Sequence, residues 1–251
     1  MTVALPARAK LNLDLAVTGT RAGGMHELRT RMQAIDLHDL VEAEPADKTA
    51  LEMSGLALER EATNTVLLAH SALQEAVQRE LPTRFRVHKR IPAGSGLGGA
   101  SSDAAAALRA MAVIFQLDTD LRPVALQVGA DVTFFLTGGA ARVEGIGERV
   151  TFEAVTPGWF AIAWPDIELS TAAVYHAWDE VGGDGVNELQ RAAAHVEPAV
   201  ARFAESLGAG WQMTGSGSAF FRTCPDRESA VAATRGLECW TAVASAMERW
   251  A

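Results

Sequence analysis

From Ala9 to Val17 apolar and polar residues alternate, with Ala9, Leu11, Leu13, Leu15 and Val17 on one parity and Lys10, Asn12 and Asp14 on the other. A period of two predicts a strand with one buried face. The polar parity sets Lys10, Asn12 and Asp14 side by side, which is either a solvated sheet face or a set of groups converging on one ligand. A glycine-containing turn follows from Thr18 to Met25, and Arg29 to Glu44 reads as further strand around Ile35 and Leu37. At Asn64 the period changes. Val66, Ala69, Leu73 and Val77 recur every three or four residues and predict a helix, with Asn64 or Thr63 placed to cap its first turn.

Phe85, Val87 and Ile91 predict a strand that ends at Pro92, and Ala104, Leu108, Met111 and Phe115 return to helical spacing. Between them lies a glycine-rich loop. A further helix from about Asp120 ends at Gly129, a residue suited to a left-handed cap. Val132 to Leu136 reads as strand before a Gly138-Gly139 turn, which puts Asp131 at a helix-to-strand junction. From Trp159 onward the order is strand (Phe160 to Trp164), helix (from Thr171, with more from Asn187), two strands (Trp211 to Thr214 and Ala219 to Arg222), helix (Arg227 to Arg235) and strand (Trp240 to Ala244). That is a split β-α-β-β-α-β plan. The expectation is an α/β chain of two domains, residues 1–153 and 154–251, with the Glu144 to Arg149 turn region just before the boundary.

Composition narrows the function class. Hydrophobic residues make up 49% and charged residues 21% of the 251, the balance of an ordinary globular enzyme. A net charge of -9 is the wrong sign for holding nucleic acid or an anionic membrane, so an anionic substrate must be bound locally by backbone amides and a few placed cations. No stretch approaches the roughly 20 apolar residues that span a bilayer, and Met1 to Lys10 lacks the apolar core of a signal peptide. A cytoplasmic protein is expected. Cys224 and Cys239 have no metal-type spacing and read as reduced structural thiols.

The loop Gly94-Ser95-Gly96-Leu97-Gly98-Gly99-Ala100-Ser101-Ser102-Asp103 carries four glycines in ten residues. Such density lets the main chain approach a ligand and turn its N–H groups inward, and the following helix adds its positive end. A triphosphate is the natural guest. The loop lacks the Gly-Lys-Ser/Thr ending of a Walker A loop and the spacing of a dinucleotide fingerprint.

The run Pro92 to Asp103 resembles the phosphate-binding motif of the GHMP small-molecule kinases. More narrowly, the chain is similar to the diphosphocytidyl-methylerythritol kinase family of the non-mevalonate isoprenoid pathway. Ala9-Lys10-Leu11-Asn12-Leu13 with Gly24-Met25-His26-Glu27-Leu28, Gly129-Ala130-Asp131-Val132 with Phe134-Phe135-Leu136, and Thr214-Gly215-Ser216-Gly217-Ser218 carry the likeness in order across nearly the whole chain. The resemblance implies a ribosomal-protein-S5-like ATP-binding and catalytic domain followed by a ferredoxin-like substrate-side domain.

It also implies residue roles. Asp131 would be the base that takes the acceptor hydroxyl's proton, and Lys10 would lie beside both, keeping the carboxylate ionised and stabilising the developing oxyanion. An ordinary structural Lys-Asp ion pair gives the same pattern. Pro92, Gly94, Gly96, Leu97, Gly98 and Gly99 would cradle ATP, with Asn64 near the adenine. Ser101, Ser102 and Asp103 stand where the helix start meets the phosphates and magnesium; the magnesium ligands stay undetermined, with Ser102 a candidate. Asn12, Met25, His26, Thr171, Tyr175 and Gly215 would bind a small substrate carrying a cytidine diphosphate group, His26 at the cytosine edge and Tyr175 stacked on its ring.

There are departures. Met25 stands where the narrow family has a tyrosine that sandwiches the cytosine, Thr133 replaces a proline, Ala172-Ala173 replaces a Thr-Pro-like pair, and the chain is somewhat short. Alternatives at this stage are a GHMP kinase for another acceptor, homoserine or a mevalonate derivative, and a catalytically silent nucleotide-binding sensor of the same fold.

Overall fold

Two long antiparallel strands organise the computed structural model, which describes residues 1–21, 23–56 and 64–250. Strands β1 (Val3–Thr20) and β2 (His26–Pro45) pair from Val3↔Ala43 to Thr20↔His26. They belong to a six-stranded sheet with β3 (Ala50–Gly55), β4 (Thr83–Lys89), β5 (Ala140–Gly145) and β6 (Arg149–Glu153), in the order β3-β4-β2-β5-β6 with β1 beside β2. The β1 pairing is irregular between Arg8 and Lys10 and again between Asn12 and Asp14. Bulges re-aim side chains, and here Ala7 joins the core beneath the first sheet while Ala9 and Leu11 join a different one.

Helices α1 (Thr65–Val77), α2 (Gly99–Ile114), α3 (Leu121–Val128) and α4 (Ala130–Phe135) cover the first core. Asn64 caps α1, its side chain accepting from Val66 N, while Thr63 lies outside the described residues. Four consecutive alanines, Ala104 to Ala107, are buried on α2, whose small side chains let it lie close against β1 and β2.

A second, four-stranded antiparallel sheet holds β7 (Trp159–Trp164), β8 (Gln212–Met213), β9 (Phe220–Cys224) and β10 (Trp240–Ser245) in the order β10-β7-β9-β8. Helices α5 (Thr171–Val181), α6 (Leu189–Val196) and α7 (Pro198–Leu207) connect β7 to β8, and α8 (Arg227–Thr234) connects β9 to β10. This is the ferredoxin-like plan. Ala9, Leu11 and Ile35 from the first sheet pack with Phe160, Ile162 and Phe221 from the second, so β1 and β2 are covered on both faces.

Residues 246–250 then cross back to the first core. Trp250 N donates to the Thr137 carbonyl at 2.9 Å, and a Cβ on Gly138 would sit 2.0 Å from the Trp250 ring. The Arg249 guanidinium lies 4.1 Å from the Phe152 ring centroid.

Two local expectations are corrected. Val132–Leu136 is not a strand: residues 130–135 form α4, with Val132 and Phe135 one turn apart and both buried. A short apolar run cannot distinguish the two by pattern alone. Gly129 has φ 172°, an extended joint between α3 and α4 rather than a left-handed cap, so Asp131 stands in the first turn of a helix. The turn expected between Glu144 and Arg149 is present and closes a hairpin of β5 and β6, strands that the alternation of buried Ala141 and Val143 with Arg142 and Glu144 signalled.

One buried charge cluster ties the glycine loop to this frame. The Lys89 ammonium bonds Asp39 of β2 and lies 2.5 Å from Asp103 Oδ2 of α2. Asp39 also accepts from Ile91 N at 2.8 Å. Asp103 Oδ1 is buried with no hydrogen-bond partner among the described residues. Burial pushes the Asp103 carboxyl up to about 7, the Asp39 charge adding to the rise and Lys89 opposing it. Between pH about 4, where a free aspartate titrates, and about 7 the folded state holds a proton the unfolded chain has lost, so stability falls as pH rises through that window. Asp103→Asn removes the contribution. Calorimetry from pH 4 to 8 should show the variant's thermal midpoint gaining on the parent's across the window, and a constant difference would refute the assignment.

Candidate active site

A cleft of about 910 Å³ lies between the two sheets. Its walls come from β1 (Lys10, Asn12), the β1–β2 turn (Met25, His26), the glycine loop with the start of α2, Asp131 of α4, Thr171 and Tyr175 of α5, and the turn through Gly215.

The glycine loop is fixed by its neighbours. Gly96 has φ +78°, and a Cβ there would lie 2.3 Å from the Thr214 carbonyl. Gly98 caps α2, also at φ +78°, with a Cβ position 2.8 Å from the Phe135 ring. Only glycine fits such contacts at such angles. Leu169 N donates to the Gly94 carbonyl at 3.3 Å and Ala219 N to the Ser95 carbonyl at 2.9 Å, so residues of the C-terminal half grip the loop. Helix α2 has no side-chain cap and no acidic residue in its first turn. Its N-terminus borders the cleft through Gly98, Gly99, Ala100 and Ser101, an arrangement that receives phosphate.

Lys10 and Asn12 converge as the alternation allowed; Asp14 does not, pairing instead with Arg31 at 2.6 Å outside the cleft. The Lys10 ammonium donates to Asn12 Oδ1 and to the Gly96 carbonyl at 2.7 Å. Asn12 Nδ2 donates to Thr30 Oγ1 at 2.8 Å, and Asn12 N donates to Thr214 Oγ1 at 2.9 Å. Burial lowers the Lys10 pKa, and the charge of Asp131 works against that. The two form no ion pair within 4.0 Å: Lys10 is held by Asn12 and Gly96, and it meets Asp131 only through space. The structural ion pair that the same pattern allowed is therefore not formed.

Of the expected ATP-side residues, Asn64, Pro92, Gly94, Gly96, Gly98, Gly99 and Ser101 border the cleft. Leu97 and Ser102 do not. The Leu97 side chain is buried in the inter-sheet core and its carbonyl accepts from Lys10 N at 2.9 Å. Ser102 is buried and its hydroxyl donates to the Gly99 carbonyl at 2.9 Å, so the hydroxyl facing the cleft is that of Ser101 rather than the magnesium candidate Ser102.

At the other end Met25 is half exposed, Thr171 Oγ1 lies 3.0 Å from Ser216 Oγ, and Gly215 borders Lys10. The Tyr175 ring borders the cleft with His26 stacked on one of its faces, centroids 5.0 Å apart and planes at 23°. Burial raises the Tyr175 hydroxyl pKa, with the Asp131 charge adding to it, so the phenol stays protonated. Residues that sequence reasoning missed are Lys89 and Asp39 behind the loop, Ser216, and Trp178 and Asp179 around His26. The last two follow Tyr175 at helical spacing, which was the available signal. Asn187 was read only as a helix start, yet its Nδ2 donates to the Met213 and Gly215 carbonyls, both at 2.9 Å, and steadies the turn.

Residues 64–139 match the family model described as the GHMP kinases N terminal domain. The chain is 37% identical to 4-diphosphocytidyl-2-C-methyl-D-erythritol kinase of Delftia acidovorans over 86% of this chain and 85% of the relative. A crystal structure of 4-(cytidine 5'-diphospho)-2C-methyl-D-erythritol kinase superposes with TM-score 0.81 and 30% identity, covering 97% of this chain and 99% of that one. The homoserine kinase of Cytophaga hutchinsonii, at 19% identity and TM-score 0.64 over 99% of this chain and 95% of that one, shares the fold. Likeness over most of the chain, in sequence and in fold, shows that it belongs to the 4-diphosphocytidyl-2-C-methyl-D-erythritol kinase family of the GHMP kinases.

Proposed function

We propose that the protein transfers the γ-phosphoryl group of ATP to the 2-hydroxyl of 4-diphosphocytidyl-2-C-methyl-D-erythritol, with Lys10 and Asp131 as the catalytic pair. The observation that carries the reading is that both side chains face one cleft beside the uncapped N-terminus of α2, with the recess of His26 and Tyr175 opening into the same space. Residues 1–153 form the ATP-binding and catalytic domain, and residues 154–251 close the substrate side through Thr171, Tyr175 and Gly215.

The triphosphate lies along Gly94, Gly96, Gly98 and Gly99, whose amides and helix dipole meet its charge, and Asn64 borders the nucleoside end. Asp131 accepts the proton of the attacking hydroxyl as its oxygen bonds phosphorus and the bond to the ADP oxygen breaks. Lys10, buried and pre-oriented by Asn12 and the Gly96 carbonyl, stabilises the negative charge that develops on the acceptor oxygen.

Magnesium fits the donor set: Ser101 and Asp131 border the cleft with oxygen-bearing side chains, and this ion takes few protein ligands and keeps several waters. Ser101 together with the phosphates would hold it, and it would neutralise charge on the transferring group. The net charge of -9 argues against a nucleic-acid partner. Among the described residues no helix is long and apolar enough to cross a membrane, and both cysteines are free, which suits a cytoplasmic setting.

An ADP-release assay with ATP, magnesium and the cytidyl substrate should show turnover, and homoserine and mevalonate should give none; release with either of those alone would overturn the acceptor assignment. Asp131→Asn should lower kcat by about a thousandfold while the dissociation constant for ATP, measured by calorimetry, stays within about twofold. Full retained turnover would remove Asp131 from the mechanism. Met25→Tyr, at a half-exposed position beside the recess, should lower KM for the cytidyl substrate by about two- to tenfold through an added ring contact, with kcat unchanged in steady-state kinetics.

A further inference from the structure

One face of α5 holds the His26 imidazole on three sides. Tyr175, Trp178 and Asp179 stand at i, i+3 and i+4 and so share that face. The Tyr175 ring is stacked on the imidazole, Trp178 meets it edge-on with centroids 5.7 Å apart and planes at 83°, and Asp179 Oδ1 lies 2.7 Å from Nε2. The His26 side chain is only 9% exposed, so the ring is clamped by these contacts; the Asp179 carboxylate, 50% exposed, reaches in from the rim.

An ionised carboxylate can only accept. The proton of this bond therefore sits on Nε2, and in the neutral ring Nδ1 is left as a lone-pair acceptor. No described residue hydrogen-bonds Nδ1, and His26 borders the cleft next to Met25 and Tyr175. An acceptor there suits a ligand that offers an amino N–H, as cytosine does at its 4-position. Uracil carries a carbonyl at that position, and two acceptors repel.

Building on the cytidyl-substrate reading of the same site, we propose that Asp179 is a positioning residue that makes the enzyme select cytosine over uracil by fixing the Nε2-protonated tautomer of His26. Asp179 touches no reacting atom. Its carboxylate stands on the exposed rim and packs against no core cluster, so its removal leaves the packing of the fold in place.

The test is competition by CDP and UDP against the cytidyl substrate, in the parent, Asp179→Ala and Asp179→Glu, with ¹⁵N-histidine spectra of each. The parent should favour CDP over UDP by at least about tenfold, the scale of one hydrogen bond gained in place of one opposed. Its His26 signals should be those of the Nε2-protonated form. Asp179→Ala should lose most of that preference, raise KM for the cytidyl substrate and lose the tautomer signature, with kcat and KM for ATP within about twofold; Asp179→Glu should recover part of the preference. An unchanged CDP preference in Asp179→Ala, an Nδ1-protonated parent, or a parallel rise in KM for ATP would overturn the proposal while leaving the kinase reading intact. A parent that neither turns over the cytidyl substrate nor binds CDP would overturn both.

Discussion

The buried cluster of Lys89, Asp39 and Asp103 is the constraint on which the site depends. Lys89 is the last residue of β4 and Asp103 lies in the first turns of α2, so they bracket the glycine loop, and Asp39 joins them from the central strand β2. A chain so rich in glycine has little intrinsic shape. Here its two ends are tied by a hydrogen bond of the Lys89 ammonium in a dry interior, with Asp39 as its counter-ion, and removing that carboxylate would leave a buried charge uncompensated. The amide-lined mouth of α2 is therefore presented at a fixed place relative to the sheet, and phosphate binding need not bear the whole entropy of ordering the loop.

The middle of the loop is held differently. Bonds from Leu169 and Ala219 reach Gly94 and Ser95, and Gly96 packs on the Thr214 carbonyl. Both halves of the chain thus shape the phosphate cradle, although the glycine motif lies wholly in the first. The bulges on either side of Lys10 to Asn12 set this short stretch off from the rest of β1, so that its two polar side chains, still alternating, lie together against the loop.

Much of this was legible in the sequence. The strand-loop-helix order, the helix cap at Asn64, the β-α-β-β-α-β plan and the convergence of Lys10 with Asn12 follow from periods, punctuation and spacing. What was not legible has physical reasons. A six-residue apolar helix and a short buried strand have the same composition, which hid α4. Hydroxyl orientation depends on the local turn, so Ser101 and Ser102 could not be told apart. The ion cluster joins residues 39, 89 and 103, and nothing in a linear pattern announces that they share one interior point. The stack of His26 on Tyr175 is likewise a contact between a hairpin and a distant helix.

The segment 246–250 has a consequence for how the molecule is assembled. Gln33 Nε2 donates to the Met247 carbonyl across 214 residues of sequence, and the Trp250 ring covers Gly138 at the end of the turn that follows the helix bearing Asp131. Contacts of such span close slowly and late. The first sheet can pair while this rim is still bare, and the segment seats on it once β10 has joined the second sheet. The surroundings of Asp131 are thus completed by a segment distant in sequence, so a change at Trp250 reaches the helix that carries Asp131 through Thr137 and Gly138.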